Sequence, residues 1–254
     1  MPALLPSIFP ASLFPLQNLT MSLVTNFLSD AVNFSQNAAG LSQSCQTNTP
    51  GGLLLLTSFW DYSPATGPSD SWTICDGSYE SSCDSSRNSN QIAKVLQDNG
   101  ADDVLDYMNT YWVDINGNQG SFWSHEWDKH GTCVSTIAPS CYSNYHSGQD
   151  IVDFFTTATD LFKQYDLYGA LSAAGIQPST SKTYTLAQLQ NAAKKAFGQT
   201  PAFRCKSGGN VDEAWFFHQT TGRATSASNF VLVAPLDGQT TCPSSGIKYN
   251  PKSG

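Results

Sequence analysis

Residues 122–133 read Phe122-Trp-Ser-His-Glu-Trp-Asp-Lys-His-Gly-Thr-Cys133. Two of the chain's 4 histidines, His125 and His130, stand here with Glu126 and Lys129 between them. Phe122, Trp123 and Trp127 flank them. The pattern predicts a helix over Phe122 to His130, stopped by Gly131. At about 100° per residue, His125 and Lys129 lie about 40° apart, as do Glu126 and His130, and all four fit a sector of roughly 140°. A solvated polar face is the ordinary fate of such residues. The aromatic flanks, with Cys133 pinning the helix end, favour a walled polar cluster, the setting for perturbed pKa values and catalysis. Imidazole, carboxylate and ammonium together suit a proton shuttle beside a developing anion. Histidine exchanges a proton near neutrality, and lysine stabilises an oxyanion or phosphoryl oxygen. Glutamate orients an imidazole or shares a proton. The rival is zinc, whose H-E-x-x-H motif is not met: the spacing here is H-E-x-x-x-H with a lysine inside it.

The chain has 254 residues, enough for one domain, or one domain and a tail, with a sizeable core. Its net charge of -8 argues against sequence-independent nucleic-acid binding at neutral pH. Any contact with RNA would be local, or made at acid pH. Only 13% of residues are charged, and Ser, Thr, Asn and Gln fill the surface, as in secreted and vacuolar proteins. There are 7 cysteines, none in a C-x-x-C pair, so zinc is disfavoured and disulfides made in an oxidising compartment are expected, with one thiol left over. Asn18-Leu-Thr20 and Asn33-Phe-Ser35 are glycosylation sequons. The opening MPALLPSIFPASLFPL is apolar, but it lacks a basic n-region and is broken by prolines. It makes a poor signal peptide and is too short to span a bilayer; no other membrane segment is predicted.

Residues 1–44 read as an atypical extension, a leader or a disordered segment, with a weak amphipathic helix over NFLSDAVNFSQNAAGLSQS. The main domain is expected over 45–254. Leu53 to Trp60 is a buried strand by length and flanks, and Ser71 to Ile74 a short one. Helices are expected over about Asn90 to Trp112, divided at Gly100, then over Ile151 to Tyr165 and Thr185 to Phe197. Ala202–Cys205, Glu213–His218 and Phe230–Ala234 read as strands. Helices among strands without strict alternation indicate an α+β fold.

The segment FWSHEWDKHGTC resembles the second active-site segment of the ribonuclease T2 family, commonly F-W-x-H-E-W-x-K-H-G-T-C. CQTNTPGGLLLLTSFWD, SWTI, CKSGGNVDEAWFFH and TTCPSSGIKYNPK resemble other parts of fungal members, so the likeness runs from about Cys45 to Lys252. It implies an α+β fold with an antiparallel sheet core, several helices and disulfide staples. It implies endonucleolytic cleavage of single-stranded RNA by transphosphorylation through a 2′,3′-cyclic phosphate, without metal or other cofactor, by a monomer in a secreted or vacuolar, acidic setting. Carried over, His130 is the general base, His125 a phosphate-binding residue, and Glu126 and Lys129 the pair that stabilises the phosphorane. Tyr79 and Trp127 fall to substrate binding. By the same analogy Cys83 pairs with Cys133, Cys45 with Cys141, and Cys205 with Cys242.

One block is missing. After SWTI the family continues His-Gly-Leu-Trp-Pro-Asp-Asn before Cys-Asp-Gly-Ser-Tyr; here Ile74 joins Cys75-Asp-Gly-Ser-Tyr79 directly. The histidine that protonates the departing 5′ oxygen goes with it, as do a Trp and an Asp of the base site. Cys75 is left without its family partner, and Ser58 stands where Gln is usual. His146, in a polar loop, reads as solvated, and His218, in WFFH, as a satisfied structural histidine. Three functions follow. The chain is a ribonuclease of this family, impaired as written, whose sequence is misassembled, for instance by an intron-boundary error; or a catalytically dead RNA- or protein-binding module; or a carbohydrate- or wall-binding protein with a coincidental motif.

Overall fold

The computed structural model describes residues 43–48, 52–77 and 81–252, all within a compact unit spanning Gly40–Gly254. The expected N-terminal helix, Asn18, Asn33 and Tyr79 lie outside the described residues.

The spine of the fold is the 11-residue strand β5, Asn210–Thr220. On one edge it pairs antiparallel with β1, Leu53–Phe59, from Leu53↔Gln219 to Phe59↔Glu213. Its other edge takes β4, Ala202–Lys206, and then β6, Phe230–Val233, both antiparallel. The two-residue strand β7, Ile247–Lys248, adds a single parallel bridge at Asn210 and pairs with β3, Thr183–Tyr184. Apart from that bridge the sheet is antiparallel, an α+β arrangement. The Leu53–Leu56 run is apolar without alternation because both faces are covered. Leu54 and Leu56 meet the main core with Phe216, while Leu53 and Leu55 pack with Ala202, Trp215 and Phe217 on the reverse face.

β2 is Thr73–Gly77, shifted from the 71–74 strand that the sequence predicts. Its ladder with β1 continues through Thr57↔Cys75, Leu56↔Asp76 and Leu55↔Gly77. β1 offers an edge beyond Ile74, and the residues that follow Ile74 fill it.

The helices are α1 Gln43–Gln46, α2 Ile92–Asp98, α3 Asp102–Tyr111, α4 Gln119–Lys129, α5 Gln149–Gln164, α6 Leu167–Ala173 and α7 Leu186–Phe197. Gly100, at φ 72°, divides α2 from α3 in the left-handed region that glycine adopts without cost. Thr185 and Gln188 form a capping box at the start of α7. The spine of the core is α5, which buries Phe154, Phe155, Ala158, Leu161 and Phe162. Trp112 lies against Phe155, ring centroids 5.0 Å apart.

Three disulfides join Cys45 to Cys141, Cys83 to Cys133 and Cys205 to Cys242. The loop between β1 and β2 is held from a distance. Trp60 Nε1 donates to the Asn250 carbonyl at 2.7 Å, and Trp72 Nε1 to Tyr249 Oη at 3.2 Å. Lys252 Nζ lies 4.8 Å from the Trp60 ring and donates to the Thr66 and Ser71 carbonyls at 2.6 and 2.8 Å.

Candidate active site

Asn118 starts α4 by accepting from the Ser121 N–H at 3.3 Å, four residues ahead of the aromatic signal at Phe122. The helix ends at His130, whose N–H donates to the Glu126 carbonyl at 2.9 Å. Gly131 is required at this point, because a β-carbon there would stand 2.2 Å from Trp127 Cε3. The chain before α2 straps the same end: Ser82 N–H donates to the Lys129 carbonyl at 2.8 Å, Ser89 N–H to Asp128 Oδ1 at 2.9 Å, and Cys83 bonds Cys133.

The four polar residues of α4 sit at graded depth. His125 is exposed and Lys129 half-buried, while Glu126 is 2% and His130 7% exposed. The His125 and His130 rings stand edge to face with centroids 6.5 Å apart. Burial, aided by the Lys129 charge and by His125, pushes the His130 imidazole down to about 4. His130 is therefore neutral in mildly acidic water. His130 also lines a cavity of about 40 Å³ whose other walls include Leu54, Leu56, Phe154, Leu161 and His218.

His218 lies across that cavity and is inert. It is 1% exposed, and its Nε2 is 3.0 Å from Tyr165 Oη. Burial holds it neutral, down to about 4. Closed off from solvent and held by Tyr165, it sits as a satisfied structural histidine. His146 is exposed in the loop before α5.

Trp127 departs from the sequence reading. It is 0% exposed, lies beneath the Arg87 guanidinium at 4.9 Å, meets Phe154 edge-on and donates Nε1 to the Arg87 carbonyl at 2.7 Å. It offers no face to a base and is a core residue under the site. The helical wheel could not separate it from Phe122, because aromatic residues occur on both sides of α4. Trp123 is likewise buried, its Nε1 donating to the Trp112 carbonyl at 2.7 Å. Ser58 is buried opposite Ile74, and its hydroxyl has no hydrogen-bond partner among the described residues. Arg87, Asp150 and Arg223, which gather around the turns beyond His130, carry no periodic or motif signal and are not legible in the sequence.

Among the described residues no group of three or more His, Cys, Asp or Glu side chains is arranged to hold a metal ion. No helix among them is long and apolar enough to cross a membrane.

The profile of the Ribonuclease T2 family matches residues 51–230. Ribonuclease T2 of Aspergillus oryzae is 43% identical over 227 residues, which cover 85% of this chain and 80% of that protein. A ribonuclease T2-like protein of Candida albicans is 43% identical over 225 residues, covering 83% of this chain and 55% of its own length. The crystal structure of Actibind, a T2 ribonuclease, superposes with a TM-score of 0.74 at 42% identity, covering 83% of this chain and 92% of that one.

Proposed function

Since the chain belongs to the ribonuclease T2 family, we propose that it cleaves single-stranded RNA endonucleolytically through a 2′,3′-cyclic phosphate, and that it does so slowly. What supports the reading is a buried His130, its proton affinity lowered by that burial, at the end of the helix face that also bears His125 and Lys129. A base must be unprotonated to act, and His130 stays so in the acid range where most histidines are charged.

In the proposed reaction His130 takes the proton of the ribose 2′-OH. The 2′ oxygen then bonds to phosphorus. The equatorial oxygens of the phosphorane gain negative charge, which the Lys129 ammonium stabilises directly and which Glu126 stabilises by hydrogen bonding while its carboxyl carries a proton, as His125 holds the phosphate. The bond from phosphorus to the 5′ oxygen breaks, leaving a cyclic phosphate, and the 5′ oxygen takes up a proton to become a hydroxyl. The last proton is the weak point. Ile74 runs straight into Cys75, so no histidine enters from β2. Water must supply that proton, and loss of a general acid lowers a rate by about 10²–10⁴-fold.

The same reading makes the protein a monomer that works without metal, secreted or vacuolar, in an oxidising and acidic setting that suits its three disulfides. Tyr79 and the sequons at Asn18 and Asn33 stay part of the proposal, as base-stacking and glycan-bearing residues. The test is RNA cleavage at about pH 5 in EDTA. The chain, a His130→Ala variant and a chain with His-Gly-Leu-Trp-Pro-Asp-Asn inserted after Ile74 would run side by side. Expected are slow cleavage with cyclic-phosphate ends, its loss in His130→Ala, and a gain of about 10²–10⁴-fold on insertion. Cleavage that survives His130→Ala would overturn the assignment.

A further inference from the structure

Beyond His130 the chain runs through three tight turns, Gly131–Cys133, Ser135–Ile137 and Pro139–Cys141. Short turns of this kind leave carbonyls without a ladder partner. Guanidinium groups satisfy three of them. Arg87 Nη1 donates to the Thr132 carbonyl at 3.1 Å and Nη2 to the Ile137 carbonyl at 3.3 Å, while Arg223 Nε donates to the Thr136 carbonyl at 3.1 Å. Arg87 Nε donates to Asp150 Oδ2 at 3.0 Å, with the two side chains only 7% and 4% exposed. Tyr145 Oη donates to Asp150 Oδ1 at 2.9 Å.

One planar fork thus grips the turn Ser85–Arg87, helix α4 through Trp127, two of the turns beyond His130, and α5 through Asp150. A lysine cannot do this, being a point charge without fixed directions. Nor does net stability explain the pair, since a buried ion pair is often matched or bettered by apolar residues of similar volume. What it supplies is geometry. We propose that Arg87 is a positioning residue for the candidate base: anchored on Asp150, it fixes Trp127 on one side of His130 and residues 132–137 on the other, and so sets the place and the dryness of the imidazole. This rests on the reading of His130 as the base, but its test does not require turnover.

The test follows the His130 imidazole by NMR titration in the full chain. Arg87→Met alone leaves Asp150 buried and unpaired and risks unfolding. The variant used is therefore Arg87→Met with Asp150→Asn, beside Arg87→Lys. A matched control is Arg204→Met with Glu213→Gln, because Arg204 also stacks on an indole, Trp215 at 4.0 Å, and pairs with Glu213 at 3.4 Å, away from α4. Expected is that His130 binds a proton at least tenfold more tightly in both Arg87 variants, while the control lowers Tm alone. Lysine should fail to rescue the titration. If His130 titrates as in the parent while Tm falls, or if the Arg204 control shifts it equally, Arg87 is only a structural residue and the proposal fails. Absence of RNA cleavage by the parent would defeat the ribonuclease reading and leave the titration readable.

Discussion

Gly131 and Trp127 are in contact so close that the glycine has no room for a methyl group. Helix α4 can therefore close its last turn directly onto the indole, which leaves His130 between the helix end and the cavity. Gly131→Ala should lower stability by about 1–3 kcal/mol, the usual cost of an added methyl in a packed core. It should also shift the His130 titration. Urea unfolding and NMR titration of one sample read both effects, and a neutral substitution would contradict the packing.

Acid should destabilise the protein through two histidines. His130 and His218 are both pushed down to about 4 by burial, against an unfolded value near 6.5. Between those values the unfolded chain binds protons that the folded chain refuses. Stability is thus complete above about pH 6.5 and declines as pH falls towards 4, by about 3 kcal/mol for each group. Asp61, Asp153 and Glu213, whose carboxyls burial raises, act in the opposite sense at lower pH. A His218→Phe chain should show roughly half the slope of unfolding free energy between pH 6.5 and 4. An unchanged slope would mean that His218 does not titrate as its burial requires.

Lys129 should act on His130 as well as on substrate. Its charge is the second cause, after burial, of the low His130 proton affinity. Lys129→Met is expected to raise the His130 pKa and to slow cleavage, moving the acid limb of the rate profile upward. Were the limb to stay in place while the rate fell, the lysine would serve the phosphorane only.

Six of the 7 cysteines are paired within the chain. Alkylation of denatured, unreduced protein should therefore label one thiol, Cys75. Replacing Cys45 and Cys141 together by serine should cost about 4–5 kcal/mol, the chain-entropy value for a loop near 100 residues, because the bond spans a separation of 96. Two or more labelled thiols, or a loss well under that figure, would count against this bonding.

The helices and long strands are legible in the sequence because their signals are local. Gly100 splits α2 from α3, and Thr185 and Gln188 announce α7. The polar face of α4 follows from spacing alone. Elements defined by remote partners are not legible. The two-residue strands β3 and β7 exist only because they pair with each other and with β5. Helix α6 escapes the sequence reading because Tyr165 reads as an ending, whereas Asp166 caps a new start by accepting from the Gly169 N–H at 2.8 Å. Arg87 and Asp150 lie 63 positions apart and share no motif. Inside and outside on α4 cannot be told apart for Trp127, since its burial depends on Phe154 and Arg87 from other elements.

The clasp between residues 247–252 and the loop joining β1 to β2 bears on how the chain is born. Trp60 and Trp72 are made early, but their covering partners Tyr249, Asn250 and Lys252 are made late. Trp60 precedes Asn250 by 190 positions, and Trp72 precedes Tyr249 by 177. Until those residues leave the ribosome, two large indoles and the edge of the sheet beside them stay without their lid. The nascent polypeptide passes through a stage in which chaperone capture and misassembly compete with completion of the fold.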